Sequence, residues 1–181
     1  MKVLHFKKSR DTFGASVVDF KGKILSDARD MYITEQGGLI PNLVAEHHKN
    51  IGMTVITKAL EDARVKLKDI SLISISQGPG LPLSLSQGMR IAKELSNNIP
   101  LIGVNHICAH LEIGKLMTKA KNPVFVFTSG ANTQIIAHEG NKYRIFGECL
   151  SIALGNALDK FARELGLGFP GGPKVEQLAK L

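Results

Sequence analysis

His106 and His110 stand four residues apart in the segment His-Ile-Cys-Ala-His. On a helix that spacing projects both imidazoles from one face, where they could hold one metal ion. By spacing alone ordinary helix histidines are the commoner case, and the Glu that a zincin protease carries directly after its first His is missing. Cys108 falls on another face and is expected to pack as a small apolar residue. Adjacent His47 and His48 would lie about 100° apart on a helix, a poor geometry for joint chelation, so a solvated or interface pair is expected. Ser129-Gly130-Ala131-Asn132-Thr133 separates two predicted strands. Small residues there would let backbone N–H groups approach phosphate oxygens, with Ser and Thr hydroxyls as extra donors. A plain Gly/Asn hairpin turn is the commoner use of such a segment. Gly78-Pro79-Gly80 and Gly171-Gly172-Pro173 are ambiguous singly, and Asp159-Lys160 suits a solvated helix face. Neither a Walker A sequence nor Gly-x-Gly-x-x-Gly occurs, which disfavours P-loop and Rossmann sites.

These residues need elements to position them. Val3–Phe6, Gly14–Phe20 and Lys23–Tyr32 read as strands, with a polar loop over Lys7–Thr12, a turn at Gly22 and a loop at Gln36-Gly37-Gly38. Ile51, Val55, Ala59 and Ala63 recur at helical spacing within Leu43–Arg64. Ile70–Ser76 is a continuous apolar strand, as the middle of a mixed or parallel sheet requires, and Leu85–Asn97 a second helix. The second half reads as strand Pro100–Val104, helix His106–Met117, and strands Val124–Phe127, Thr133–His138 and Tyr143–Leu150. Helix Ile152–Leu165, a rigid loop over Phe169–Pro173 and a short final helix end the chain. The β-β-β-α opening thus recurs once and then stops. An α/β protein of two similar lobes is expected, with the second incomplete and the boundary at 99/100.

The chain has 181 residues, enough for a sizeable core, and is 44% hydrophobic without a run long enough to span a membrane. Two cysteines exclude a disulfide scaffold or a four-cysteine zinc site. The N-terminus shows no signal-peptide pattern, so a cytoplasmic location is expected. A net charge of +7 permits an anionic partner such as ATP or RNA without demanding one.

Five segments occur in order: Ser76-Gln77-Gly78-Pro79-Gly80-Leu81, Gly103 to His110, Ser129 to Gln134, Gly155 to Arg163, and Pro170-Gly171-Gly172-Pro173. Together they resemble the archaeal and eukaryotic catalytic subunit of the KEOPS complex, a tRNA N6-adenosine threonylcarbamoyltransferase formerly described as a sialoglycoprotein endopeptidase. The archaeal branch is the more similar, and the likeness covers only the N-terminal part of a usual member. The resemblance implies an actin-like ATPase (ribonuclease-H-like) fold. It also implies transfer of threonylcarbamoyl from its adenylate to N6 of the adenosine beside the anticodon. It implies His106 and His110 as ligands of one divalent metal, iron or zinc, between the lobes. It implies nucleotide contacts from Phe127, Thr128, Ser129, Gly130 and Ala131 and from Asp159, Gly172 and Glu176, to ATP or threonylcarbamoyl-adenylate with Mg. Implied partners are other KEOPS-type subunits on the helices at 43–64 and 85–97, tRNA, and a chain supplying the C-terminal half.

Several positions depart from that family's pattern. Lys7 and Lys8 stand where an acidic residue and Gly are usual, Phe127 replaces a tyrosine, and Ala131 replaces a glycine. Pro82 stands where Gly is usual and Ser86 where Arg is common. A third metal ligand and a nucleotide-contacting Asn belong to the part not matched. A positive φ at Ala131 would cost about 1 kcal/mol. The expectation is a shortened or split acyltransferase, with a non-catalytic scaffold of the same complex as the alternative.

Overall fold

Fourteen elements run along the chain of this computed structural model, which describes residues 1–8, 11–34 and 40–180, the Lys8 side chain excepted. Strands β1 (Lys2–Lys8), β2 (Thr12–Asp19) and β3 (Ile24–Met31) form an antiparallel meander. Asp19 closes the β2–β3 turn, its Oδ1 accepting the N–H groups of Lys21 and Lys23 at 2.8 and 2.9 Å, and Gly22 takes the left-handed φ of +82° there. Helix α1 (Pro41–Asp62) leads through a 3₁₀ turn at Leu67–Asp69 to β4 (Leu72–Gly78), α2 (Pro82–Leu95) and β5 (Leu101–Asn105). Both helices open with a proline, whose missing N–H costs nothing in a first turn. Pro82 therefore starts α2 rather than extending the loop.

The first sheet has the order β3-β2-β1-β4-β5, with β4 parallel to both β1 and β5. Leu4, Phe6, Phe13, Ala15, Val17, Ile73 and Ile75 point to one face and are buried with residues of α1 and α2. At Gly52 a Cβ would lie 2.9 Å from Ile91 Cδ1, so the end of the Ile91 side chain would have to shift to admit one. Ser26 Oγ donates to Ala59 O at 2.6 Å, tying β3 to α1. His48 is fully buried and meets Phe13 edge-on, while His47 Nε2 lies 2.7 Å from Asp30 Oδ1. The expectation of a solvated or interface pair therefore fails at His48, because α1 turns that position into the core.

Helix α3 (His106–Thr118) follows, then β6 (Phe125–Thr128), β7 (Thr133–Glu139) and β8 (Lys142–Glu148), an antiparallel sheet in the order β6-β7-β8. Helices α4 (Leu154–Glu164) and α5 (Gly171–Leu178) complete it. The expected rigid loop over Phe169–Pro173 is shorter, because α5 begins at Gly171 and takes Pro173 into its first turn. β1 and β2 likewise take up part of the expected Lys7–Thr12 loop. The loop expected at Gln36-Gly37-Gly38 lies outside the described residues.

The chain divides into two units: Met1–Tyr32 with Leu39–Ala109, and Ile33–Gly38 with His110–Leu181. The division falls inside α3 rather than at 99/100. β5 pairs with β4 and so belongs to the first sheet. No helix among the described residues is long and apolar enough to cross a membrane.

Candidate nucleotide and metal site

His106 and His110 both lie on α3, one turn apart, His106 half-buried and His110 exposed. Asn105 positions them. Its Oδ1 accepts the N–H groups of Ile107 at 2.9 Å and Cys108 at 3.1 Å, the N-cap arrangement that starts a helix on the next residue. The His110 ring packs against Phe127 of β6, centroids 5.7 Å apart. Phe127 is paired with Gln134 across the β6–β7 hairpin. Gln134 is buried: its Nε2 donates to Glu148 Oε2 at 3.2 Å, while its Oε1 has no hydrogen-bond partner among the described residues. A buried amide oxygen left without a partner is what a polar ligand would satisfy. The sequence reading passed over both Asn105 and Gln134. Asn before a helix is a visible cap signal, but a buried Gln has no local signature.

The β6–β7 turn is closed on itself. Ser129 N–H donates to Asn132 O at 2.7 Å, and Asn132 N–H donates to Ser129 Oγ at 2.9 Å. Gly130 and Ala131 form its tip. Among the described residues, non-glycine positions of positive φ are Arg64, Asn98, Lys119 and Asn141. Ala131 is not one of them, so the condition for strain there is not met.

Helix α4 is seated on this hairpin. Leu154 N–H donates to Thr133 Oγ1 at 2.9 Å and Gly155 N–H to Ser129 O at 3.1 Å. A Cβ on Gly155 would lie 2.7 Å from that carbonyl oxygen. The contact is too close for any side chain. Asp159, half-buried on α4, accepts Gly171 N–H at 3.0 Å through Oδ1, so it holds the first turn of α5 rather than standing in a solvated face. Gly171 is where the two helices touch: its Cβ would come 2.5 Å from Ala162 Cβ. Gly172 beside it faces open space, with nothing within 4 Å of an added Cβ. Glu176 is exposed and pairs with Lys180 at 2.6 Å. The structure thus brings Thr128 to Ala131, Asp159 and Gly172 onto three elements linked by hydrogen bonds. Glu176 is paired with Lys180 instead.

Two imidazoles one turn apart fit as two ligands of a divalent ion. Among the described residues no group of three or more His, Cys, Asp or Glu gathers, so the set is incomplete there. In the first unit, Lys7 lies at the end of β1 beyond His5, and its pKa is lowered by burial first and by the Arg29 charge second. Exposed Cys149, just before α4, has its thiol pKa lowered by hydrogen bonds from the Ser151 backbone and hydroxyl.

A family model described as "TsaD: tRNA N6-adenosine threonylcarbamoyltransferase" matches residues 23–181. The chain belongs to that family. A tRNA N6-adenosine threonylcarbamoyltransferase of Thermococcus kodakarensis is 47% identical over 181 residues, covering 99% of this chain and 55% of the relative. A Methanobrevibacter smithii protein named "Probable bifunctional tRNA threonylcarbamoyladenosine biosynthesis protein" is 50% identical over 169 residues, 92% of this chain and 31% of the relative. The chain therefore spans about half, or less, of the curated relatives it matches. Among solved structures, YeaZ from Pseudomonas aeruginosa matches at a TM-score of 0.55 and 13% identity, covering 82% of this chain and 65% of that one. Component A of the Acidaminococcus fermentans (R)-2-hydroxyglutaryl-CoA dehydratase matches at 0.53 and 13% identity, 91% and 54%. These likenesses show the fold. It is the actin-like ATPase fold expected from the sequence, with the second sheet shorter than the first.

Proposed function

We propose that this threonylcarbamoyltransferase-family chain is a shortened catalytic subunit in tRNA N6-threonylcarbamoyladenosine synthesis. It would carry the nucleotide hairpin and two of the metal ligands. The observation behind this is the linked hairpin, α4 and α5, with His110 packed on Phe127 of the same hairpin. The Gly130-Ala131 tip would offer backbone N–H groups to the adenylate, and Gly172 leaves room for its close approach. His106 and His110 would hold a divalent ion, iron or zinc. The chemistry such an ion supplies there is polarisation of the carbamoyl carbonyl and neutralisation of phosphate. ATP or threonylcarbamoyl-adenylate, with Mg, is the ligand class. KEOPS-type subunits would dock on α1 and α2, tRNA would be held by basic surface, and the setting would be the cytoplasm.

The test is threonylcarbamoyl transfer to tRNA, read as modified nucleoside by mass spectrometry, with the chain assembled with its cellular partners. Modified tRNA, with metal lost in His106→Ala and His110→Ala, supports the enzyme. A second reading, a non-catalytic scaffold, is favoured by Lys7 where the family carries an acidic residue, because a half-buried lysine cannot hold a cation as a carboxylate does. An intact, metal-free assembly that leaves tRNA unmodified would establish it. For the nucleotide, Asp159→Asn is the informative variant: it removes the charge but keeps an oxygen for Gly171 N–H.

A further inference from the structure

The two faces of the first sheet are unlike. Leu4, Phe6, Ile73 and Ile75 line the face that α1 and α2 cover, and the alternate residues line the other. Two polar rows cross that second face. In the first, His5 stands between Ser16 and Ser74 in the ladders, and its Nδ1 lies 2.8 Å from Ser74 Oγ. In the next, two residues further along β1 and β4, Lys7 pairs with Gly14 and Gly14 with Arg29, while Ser76 follows Ser74 on the other side of Lys7. The order across the strands is therefore Arg29, Gly14, Lys7, Ser76.

This row has the character of an anion site. Gly14 puts no side chain between the two cations, and the Arg29 stem lies over it, its Cγ 3.8 Å from where a Cβ would stand. Asp27 orients Arg29, whose Nε donates to its Oδ1 and Oδ2 at 3.2 and 3.1 Å. Lys7 is half-buried, and burial and the Arg29 charge oppose its own charge more than Asp11 favours it. Ser76 is 2% exposed, and its hydroxyl has no hydrogen-bond partner among the described residues. Two like charges held together attract a counter-anion. A buried hydroxyl without a partner is a donor in want of an acceptor. An oxyanion answers both, whereas the cation pair repels a divalent ion.

We propose that Lys7 and Ser76, with Arg29 across Gly14, bind a phosphoryl oxyanion directly, without a bridging metal ion. The Lys7 ammonium supplies charge, the Ser76 hydroxyl a buried hydrogen bond, and Arg29 a second cation at the open side. All four residues belong to the first unit, so the site needs nothing from the second. It rests on the nucleotide reading only for the source of that group, which is either a nucleotide tail or free pyrophosphate.

The experiment titrates the 181-residue chain with inorganic pyrophosphate and, separately, with ATP, both in EDTA, and follows binding by calorimetry. Saturable pyrophosphate binding without metal is expected. Lys7→Met should weaken it about tenfold or more, and Ser76→Ala about threefold or more. Lys23→Met, the same loss of charge in the turn at the opposite end of the sheet, should leave it unchanged. Ser76→Ala removes a buried hydroxyl that lacks a partner, so it should melt no lower than the parent, which separates lost binding from lost folding. ATP binding weakened in parallel assigns the site to a nucleotide tail. Pyrophosphate binding that both variants lose, with no ATP binding, keeps the site and rejects the nucleotide reading. A chain that binds pyrophosphate only when Mg is added, or not at all, overturns the proposal, and so does binding indifferent to both variants, even where ATP still binds at the Gly130-Ala131 turn.

Discussion

His5 sits on β1 with its Nδ1 2.8 Å from Ser74 Oγ of β4, and burial first, then the Lys7 charge, lowers its pKa to about 4. The folded chain therefore holds it neutral while the unfolded chain takes up a proton near the ordinary value of about 6.5. Stability from this group is full above that value and falls as pH drops from about 6.5 toward 4, by about 2–3 kcal/mol. Urea unfolding at pH 7.5, 6 and 4.5 should show that slope, and His5→Gln should flatten it. Gly172→Ala tests a different residue. With open space around its Cβ it should leave the melting temperature within about 2 °C of the parent, yet weaken ATP binding if the adenylate approaches there. Titration calorimetry beside a melt separates the two. At this scale the sequence exposed what was written in one short segment: the His-x3-His spacing and the Gly-rich turns. It hid what depends on partners far along the chain, such as Asp159 on Gly171, Thr133 on Leu154, or the buried Gln134.

Among elements, the weight falls on α4, which is attached to the hairpin at one end and to α5 along its length. Gly171→Ala pushes a methyl group against Ala162 and the Asp159 backbone and should cost about 1–3 kcal/mol. Thermal unfolding followed by circular dichroism measures it. Thr133→Val removes the acceptor for Leu154 N–H and should cost about 0.5–2 kcal/mol, read as faster amide exchange in the first turn of α4. Element types were legible because apolar periodicity differs between β7 and α1. Their ends were less so. α5 begins two residues before Pro173, a start that proline tolerates but that Gly-Gly-Pro alone reads as loop. Likewise His47-His48 looked polar in sequence, and only the pitch of α1 turns His48 inward.

For the whole molecule, the two units differ in how much of their apolar surface is covered. Ile73→Ala, in the continuous core of the first, should cost about 2–5 kcal/mol. Val126→Ala in the isolated chain should change stability by less than about 0.5 kcal/mol, because little is packed there to lose. Denaturant melts of both variants, with amide exchange resolved by segment, should show the first unit as the last to open. The β-β-β-α order, read twice along the sequence, made the two-sheet plan legible there. Which side chains each sheet buries needed coordinates. Cys149 adds a practical consequence. Its thiol is exposed, ionises more readily than an ordinary cysteine, and lies between β8 and α4. The chain therefore carries its own labelling handle: a maleimide dye fixed there at neutral pH would report by its emission whether the neighbouring surface is wet or enclosed.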